Sequence, residues 1–193
     1  MALAFTENNR KRIFKNISIV LSASIFITLS AQVIVPFVPV PVTFQTLAIL
    51  IIGLIFGSRL GFLSVATYLI EGAIGFPVFA GGMSSIALIG PTAGFLYGFL
   101  IMVCIVGLVK DLKITNIVSV SLVTLTASLV LYIPGILWPM FLAETIGLEA
   151  AWVGLPFNLM WSGWIAPFVL IDILKSLIAA FVFVGFAKII VVK

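Results

Sequence analysis

Residues 17–58 read ISIVLSASIFITLSAQVIVPFVPVPVTFQTLAILIIGLIFGS, and no position among them carries a charge. A transmembrane helix takes about 20 largely apolar residues, so this run is too long for one span. Pro36, Pro39 and Pro41 divide it, because proline has no N–H to continue a helix and pushes the residue before it toward extended backbone. Span 1 is therefore expected over about 17–35 and span 2 over about 43–57. Arg59 marks the turn that follows.

The rest of the chain repeats this layout. Span 3 is expected over about 60–76, with Glu71 near its far end and Gly72, Gly75 and Pro77 closing it. The Gly/Ser-rich stretch Ala80–Ser85 leads to Gly90-Pro91-Thr92. Span 4 then runs over about 91–109, up to Lys110-Asp111-Leu112-Lys113, and span 5 over about 114–134, where Pro134-Gly135 ends it. A connector over 136–164 precedes span 6, about 165–187. The expected fold class is thus all-α and integral to the membrane: one transmembrane domain over 1–193 with six helices.

Composition agrees. Of 193 residues, 63% are apolar and 8% charged, against about 45–50% and about 25% in soluble domains. So few charges cannot cover a soluble surface, and the mean hydropathy is +1.39. The chain has no His and one Cys, Cys104, which excludes zinc clusters, Cys–His nucleophiles, Ser–His–Asp triads and disulfide frameworks. No metal site and no cofactor is expected. The N-terminal apolar run is too long for a signal-peptide core.

The net charge of +4 points to membrane orientation rather than to nucleic acid. Arg10, Lys11, Arg12 and Lys15 precede span 1, Arg59 joins spans 2 and 3, Lys110 and Lys113 join spans 4 and 5, and Lys188 and Lys193 follow span 6. With six spans all of these fall on one side, the cytoplasm, together with both termini. The opposite loops carry only Glu71, Glu144 and Glu149. Trp138, Trp152, Trp161 and Trp164 all lie in or beside the last outer connector, where an outer aromatic belt is expected.

The strongest chemical feature is Asp172 and Lys175 in span 6. Spaced i,i+3, they share a helix face and can pair, roughly 10 and 15 Å below the outer end at about 1.5 Å per residue. Charges at such depth usually face a bundle interior or a cavity. A self-neutralising pair is one reading, but apolar replacements of such pairs are often more stable, which favours a ligand or ion site.

Gln45, in Val42-Thr43-Phe44-Gln45-Thr46, sits at the outer end of span 2, where Thr43 serves equally as a helix cap. Tyr68 and Glu71 lie i,i+3 and can face one pocket, although Glu71 also fits a hydrated helix end. Asn158 is a polar residue in an aromatic connector, suited to an amide contact or to loop capping. The Ala80–Ser85 and Gly90–Gly94 stretches fit either a lid offering backbone amides or a plain turn, since non-helical backbone at membrane depth is tolerated where it is buried or lines a cavity. Ser18 and Ser22, and likewise Ser24 and Thr28, form pairs at four-residue spacing in span 1. Such a small-residue face packs within a bundle or receives a partner helix.

The segments VPVPVTFQTLAIL (38–50), YLIEGAIGFPVFAGG (68–82), GPTAGFLYGF (90–99) and PFVLIDILK (167–175) resemble the biotin-specific S-component (BioY family) of energy-coupling-factor vitamin transporters, over nearly the whole chain. The resemblance implies a six-helix S-component bundle in the cell membrane. It also implies a subunit that captures biotin and has no enzymatic activity of its own. Its partners would be a transmembrane coupling protein and two cytoplasmic ATPases. The family's acidic–basic pair on the last helix falls on Asp172 and Lys175, and its Gln after Val-Thr-Phe on Gln45. Span 1 departs from the family's Ala-xxx-Ala docking pattern, having Ser24-xxx-Thr28 instead.

Biotin suits these residues. Its urea offers two N–H donors and one C=O acceptor, so Asp172 can take the donors, and Lys175 can bond the carbonyl or offset charge. Phe44, Tyr68 and Trp164 can cover the ring system, and Gly81, Gly82 and Ser85 lie in the lid stretch where the tail carboxylate would meet backbone amides. The alternative is an ion- or proton-coupled secondary transporter of a small polar solute that uses the Asp172/Lys175 pair as a relay. The short chain and the lack of a visible internal repeat speak against it.

Overall fold

A computed structural model describes residues 2–36, 41–148 and 150–191, with side chains over 9–36, 41–148 and 150–186. Pro39, Glu149 and Lys193 lie outside the described residues, as does the side chain of Lys188. Helix α1 (Ala2–Gln32) leads into a short antiparallel ribbon, β1 (Ile34–Val35) with β2 (Val42–Thr43), in which Ile34 faces Thr43 and Val35 faces Val42. Pro36 and Pro41 flank the paired residues and hold the backbone extended there. Helix α2 (Gln45–Ala73) follows, then two short 3₁₀ turns at Ala80–Gly82 and Ser85–Leu88, α3 (Ala93–Asp111) and α4 (Ile117–Leu137). A wide turn of π type (Trp138–Leu142) carries α4 into α5 (Ala143–Thr145). After the connector, α6 (Phe157–Met160) continues through a second π turn (Trp161–Ile165) into α7 (Ala166–Val191).

Five helical stretches among the described residues are long and apolar enough to cross a membrane: Asn9–Gln32, Gln45–Ala73, Ala93–Asp111, Ile117–Thr145 and Phe157–Phe186. The second is not straight. Gly57 has φ 80° and ψ 176°, outside the helical region, and the two arms of α2 double back on each other there. The Gln45 amide reaches the Tyr68 hydroxyl at 2.6 Å across 23 positions, which a straight helix would separate by roughly 35 Å. The arms approach so closely at Gly53 and Gly61 that a Cβ on Gly61 would lie 3.6 Å from Gly53 Cα. Spans 2 and 3 of the sequence reading are these two arms. At the bend, Asp111 Oδ2 accepts from the Ser58 N–H at 3.1 Å and so satisfies one of the open donors at the start of the second arm.

Two other boundaries move. α4 does not stop at Pro134 but runs through it, because neighbouring helices re-satisfy and pack the kinked backbone of a membrane helix. Gly98 on α3 makes the room: a Cβ there would come within 2.7 Å of the Pro134 ring. The 136–164 connector is likewise helical at both ends.

The densest packing is between α2 and α3, with α1 and α4 on either side and α7 closing against α2 and α4. Ile27, Ile49, Leu54, Val65, Met102 and Val106 are buried in that core. Leu29, Leu122, Leu170 and Phe181 point outward and are more than half exposed, as a lipid-facing surface requires and a soluble one avoids. The aromatic belt is narrower than expected. Trp138 and Trp164 are buried, and Trp138 Nε1 donates to the Gly90 carbonyl at 2.9 Å. Buried indoles seek such a partner, which leaves Trp161 as the well-exposed member.

The α2 bend lies beside Lys110 and Asp111, and Lys15 of α1 lines a groove with Ile55 and Phe56 just before that bend. Lys15, Arg59, Lys110 and Lys113 therefore gather at one end of the bundle, and the ribbon and 3₁₀ turns at the other. Gly57→Ala is expected to lower the thermal unfolding midpoint in detergent clearly, since backbone at positive φ with ψ near 180° is all but restricted to glycine and costs an L-residue about 1–3 kcal/mol, and the new Cβ would meet the Asp111 carboxylate. Asp111→Asn should cost less. Equal midpoints for Gly57→Ala and the unaltered chain would refute this account of the bend.

Candidate functional site

A cavity of about 710 Å³, open mouth included, lies at the end of the bundle away from the basic cluster. The ribbon and the first turn of α2, the N-terminal halves of α3 and α7, the C-terminal half of α4, and the segment between Phe79 and Ala87 enclose it. Most of its wall is apolar and aromatic: Phe79, Phe95, Phe99, Trp164 and Phe168. One side is polar, and that side is built from the α7 pair.

Asp172 and Lys175 sit on one face of α7 with Lys175 Nζ 3.4 Å from Asp172 Oδ1, and both residues are buried, at 9% and 6% exposure. A buried charge is tolerated only when paired and hydrogen-bonded, and three elements supply the bonds. Tyr132 of α4 donates its hydroxyl to Asp172 Oδ2 at 2.5 Å. Thr46 of α2 donates to Asp172 Oδ1 at 3.4 Å. Lys175 donates to the Thr43 carbonyl at 2.8 Å and to Thr46 Oγ1 at 2.9 Å. An ammonium has three donors, so the three acceptors use all of them, and the long bond to Asp172 is the weakest.

A second branch continues from Thr43. Its hydroxyl donates to Gln45 Oε1 at 2.8 Å and accepts from the Gln45 backbone N–H at 3.3 Å. Thr43, one residue before the N-cap Phe44, therefore takes up the first N–H of α2 in a local turn and lies on the cavity wall at once. Gln45 Nε2 donates to Tyr68 OH at 2.6 Å, and the Tyr68 ring stands edge-on to Phe79, 5.2 Å away. The polar groups thus form one chain from Tyr132 through Asp172, Lys175, Thr43 and Gln45 to Tyr68, with the apolar cavity on its open side.

Of the residues singled out in the sequence, Asp172, Lys175, Gln45 and Trp164 line the cavity. Tyr68 stands behind Gln45, fully buried. Phe44 points away and is 49% exposed, because Thr43 and Gln45 take the inward positions on either side. Gly81, Gly82 and Ser85 lie in the segment over the cavity, but Phe79, Ala80, Met83 and Ala87 form its inner surface. Gly81 and Gly82, at φ 69° and 73°, bend that segment where L-residues are strained. Asn158 is exposed on α6, apart from the cavity. Glu71 is also apart from it, where it accepts from Ser24 of α1 at 2.5 Å. Ser24 is consequently buried inside the bundle rather than outward-facing, and Thr28 is half-buried. Ser18 and Ser22 are exposed and line the groove between α1 and α2 that begins at Lys15.

Sequence reasoning missed Tyr132 and Thr46, and the aromatic residues Phe95 and Phe168. A signal for Tyr132 was present: Thr124, Ser128 and Tyr132 recur every four residues, and all three are buried on the side of α4 that meets α7.

The profile of the BioY family matches residues 6–191. This chain belongs to the BioY family. Relatives in that family include the "Probable biotin transporter BioY" of Pyrococcus horikoshii, 35% identical over 169 residues that cover 87% of this chain and 93% of that one. The "Biotin transporter BioY2" of Lactococcus lactis subsp. cremoris is 34% identical over 162 residues, 83% of this chain and 82% of that one. These BioY relatives are named as transporters, not as enzymes. The fold resembles a crystal structure at 2.1 Å of the S-component for biotin from an ECF-type ABC transporter, with a TM-score of 0.65 over 94% of both chains at 22% identity.

Within this BioY-family bundle the polar chain makes a stability prediction. Lys175→Ala removes the counter-charge and leaves Asp172 buried, which is expected to destabilise the protein by about 3–5 kcal/mol. Asp172→Asn combined with Lys175→Met should recover most of that loss. Thermal unfolding of the purified variants in detergent checks both, and a double variant no more stable than Lys175→Ala would contradict the pairing.

Proposed function

We propose that this chain is the subunit that captures biotin for an ATP-driven energy-coupling-factor uptake transporter. The observation that carries the reading is the placement of the Asp172–Lys175 pair, buried and bonded, on one side of an otherwise apolar and aromatic cavity in a chain of the BioY family. Biotin matches that wall. Its urea N–H groups find an acceptor in Asp172, its urea carbonyl competes for the long Lys175 bond, and its ring system lies against Trp164, Phe95 and Phe168. The tail carboxylate stays toward the mouth, under the segment bent at Gly81 and Gly82. Gln45, held by Thr43 and Tyr68, sets the shape of the wall beside the pair. Family membership does not favour the ion-coupled alternative.

The topology that fits this role has six spans, the two arms of α2 counted separately, with the basic end and both termini in the cytoplasm and the cavity facing outward. The energy of transport enters through partners: a transmembrane coupling protein and two cytoplasmic ATPases. Ser18 and Ser22, exposed along the α1–α2 groove, are the docking candidates, whereas Ser24 and Thr28 belong to the packing of α1 against the bundle.

Three measurements test the reading. In titration calorimetry the purified chain should bind biotin and neither pantothenate nor riboflavin. Asp172→Asn should weaken biotin binding by about 1.5–3 kcal/mol, the worth of a hydrogen bond to a charged group; no binding by the unaltered chain would overturn the function. Cysteine placed at Ser84 should label from outside intact cells and cysteine at Lys113 should not, and the reverse pattern would overturn the orientation. Ser22→Trp should abolish uptake while leaving biotin binding intact, whereas Ser24→Trp should impair folding and binding together. Full uptake with Ser22→Trp would remove the docking face.

A further inference from the structure

The two oxygens of Asp172 are not equivalent. Oδ2 accepts the 2.5 Å bond from the Tyr132 hydroxyl. Oδ1 has contacts of 3.4 Å from Lys175 Nζ and from Thr46 Oγ1, both at the outer limit of a hydrogen bond. Lys175 places its short bonds on Thr43 and Thr46 instead. A carboxylate offers about four lone-pair sites, so Oδ1 retains acceptor capacity at the cavity wall while Oδ2 is anchored.

The anchor is itself rigid. Tyr132 is 6% exposed and packs with Val42, Ile165 and Phe168, and its ring stands edge-on to Phe95 at 6.1 Å and 87°. Its only hydroxyl proton goes to Asp172, so it acts on a ligand through that carboxylate. Without the anchor, nothing on the α4 side opposes the pull of Lys175. Asp172 would turn toward the ammonium one helical turn away and engage it with both oxygens, and a ligand N–H would lose its acceptor.

We propose that Tyr132 is the positioning residue that sets ligand specificity: by anchoring Asp172 Oδ2 it keeps Oδ1 free to accept from a neutral N–H donor, such as the edge of a cyclic urea. This rests on the biotin reading above and names the ligand group that is read. A site built to bond an N–H discriminates strongly against an analogue that lacks it, because the buried acceptor is then left unpaired. Discrimination, rather than affinity alone, is therefore what Tyr132 controls.

The test uses the purified full chain and three ligands: biotin and the two analogues carrying a methyl group on one or the other urea nitrogen. The unaltered chain should bind biotin and reject at least one methylated analogue. Tyr132→Phe keeps the ring and its contact with Phe95 but removes the donor. It is expected to weaken biotin binding about ten-fold or more and to leave the weak binding of the rejected analogue nearly unchanged, so that the selectivity ratio collapses. A purely structural tyrosine would lower both affinities alike, and an unchanged ratio overturns the proposal. Tyr132→His, which retains a ring and a donor, should preserve more of the ratio than Tyr132→Leu. That comparison decides the matter if Tyr132→Phe does not yield folded protein, and equal ratios in the two variants overturn the proposal. If the unaltered chain binds no biotin, the biotin reading falls and this one with it. If it binds biotin and Tyr132→Phe keeps the ratio, only the role of Tyr132 falls.

Discussion

A carboxylate placed inside an apolar bundle must be neutralised and hydrogen-bonded, and satisfying Asp172 organises the cavity end of this protein. Its partners come from three helices: Tyr132 on α4, Thr46 on α2 and Lys175 on its own helix α7. Lys175 extends the arrangement to the carbonyl of Thr43, in the ribbon just before α2. The Thr43 carbonyl lies outside α2, so the ammonium gives it a donor as well as offsetting the charge of Asp172. One buried pair thus ties α7 to α4, to α2 and to the segment that forms the cavity rim. Polar groups with alternatives inside a membrane bundle have few cheaper arrangements, which is why the cavity wall is set by these bonds and not by apolar contact alone.

The rest of the bundle can come close enough for those bonds because small residues sit where helices cross. The arms of α2 meet at Gly53 and Gly61, and Pro134 of α4 lies against Gly98 of α3. In lipid, helix association relies on close packing rather than on a hydrophobic driving force, so each of these contacts is also a condition for the polar chain. The hydroxyl ladder below the pair follows the same logic: Ser128 and Ser176 bond at 2.8 Å and Thr124 donates to the Ser176 carbonyl at 3.2 Å, stitching α4 to α7 along their length. α1 is held differently. It buries a narrow stripe, Ala23, Ile27 and Ala31, with polar contacts from Ser24 to Glu71, from Gln32 to the Phe79 carbonyl and from the Phe44 N–H to the Ser30 carbonyl, and most of its other described side chains point outward. That asymmetry leaves α1 the least buried of the five long apolar stretches among the described residues.

Function at this site asks for no bond making. The cavity needs a shape that accepts a flat, largely apolar ligand and a polar edge that reads a few donors and acceptors. Asp172 and Lys175 supply opposite hydrogen-bonding characters side by side, as the donor and acceptor edge of a urea requires. The aromatic residues supply area with little loss of side-chain freedom. Asp172, Lys175, Gln45 and Phe95 are each held by neighbouring groups, and preorganisation of this kind lowers what binding must give up in entropy.

The membrane character, the apolar helices and Asp172, Lys175 and Gln45 as residues that meet at one cavity were legible in the sequence, because charge depletion, proline placement and polar residues at membrane depth are local signals that carry their own energetic argument. The bend at Gly57 was legible as a break in the apolar run, since Arg59 marks it. Four things were decided only by tertiary structure. Pro134 does not end α4, because Gly98 on another helix accommodates it. Ser24 faces inward, because Glu71, 47 positions away, accepts its hydroxyl. Phe44, Asn158 and the lid glycines stand off the cavity wall while Tyr132, Thr46, Phe95 and Phe168 form it. Trp138 and Trp164 leave the membrane interface for the interior. In each case the deciding partner is remote in sequence, and the periodicity of a single helix specifies which residues share a face but not which neighbour that face meets.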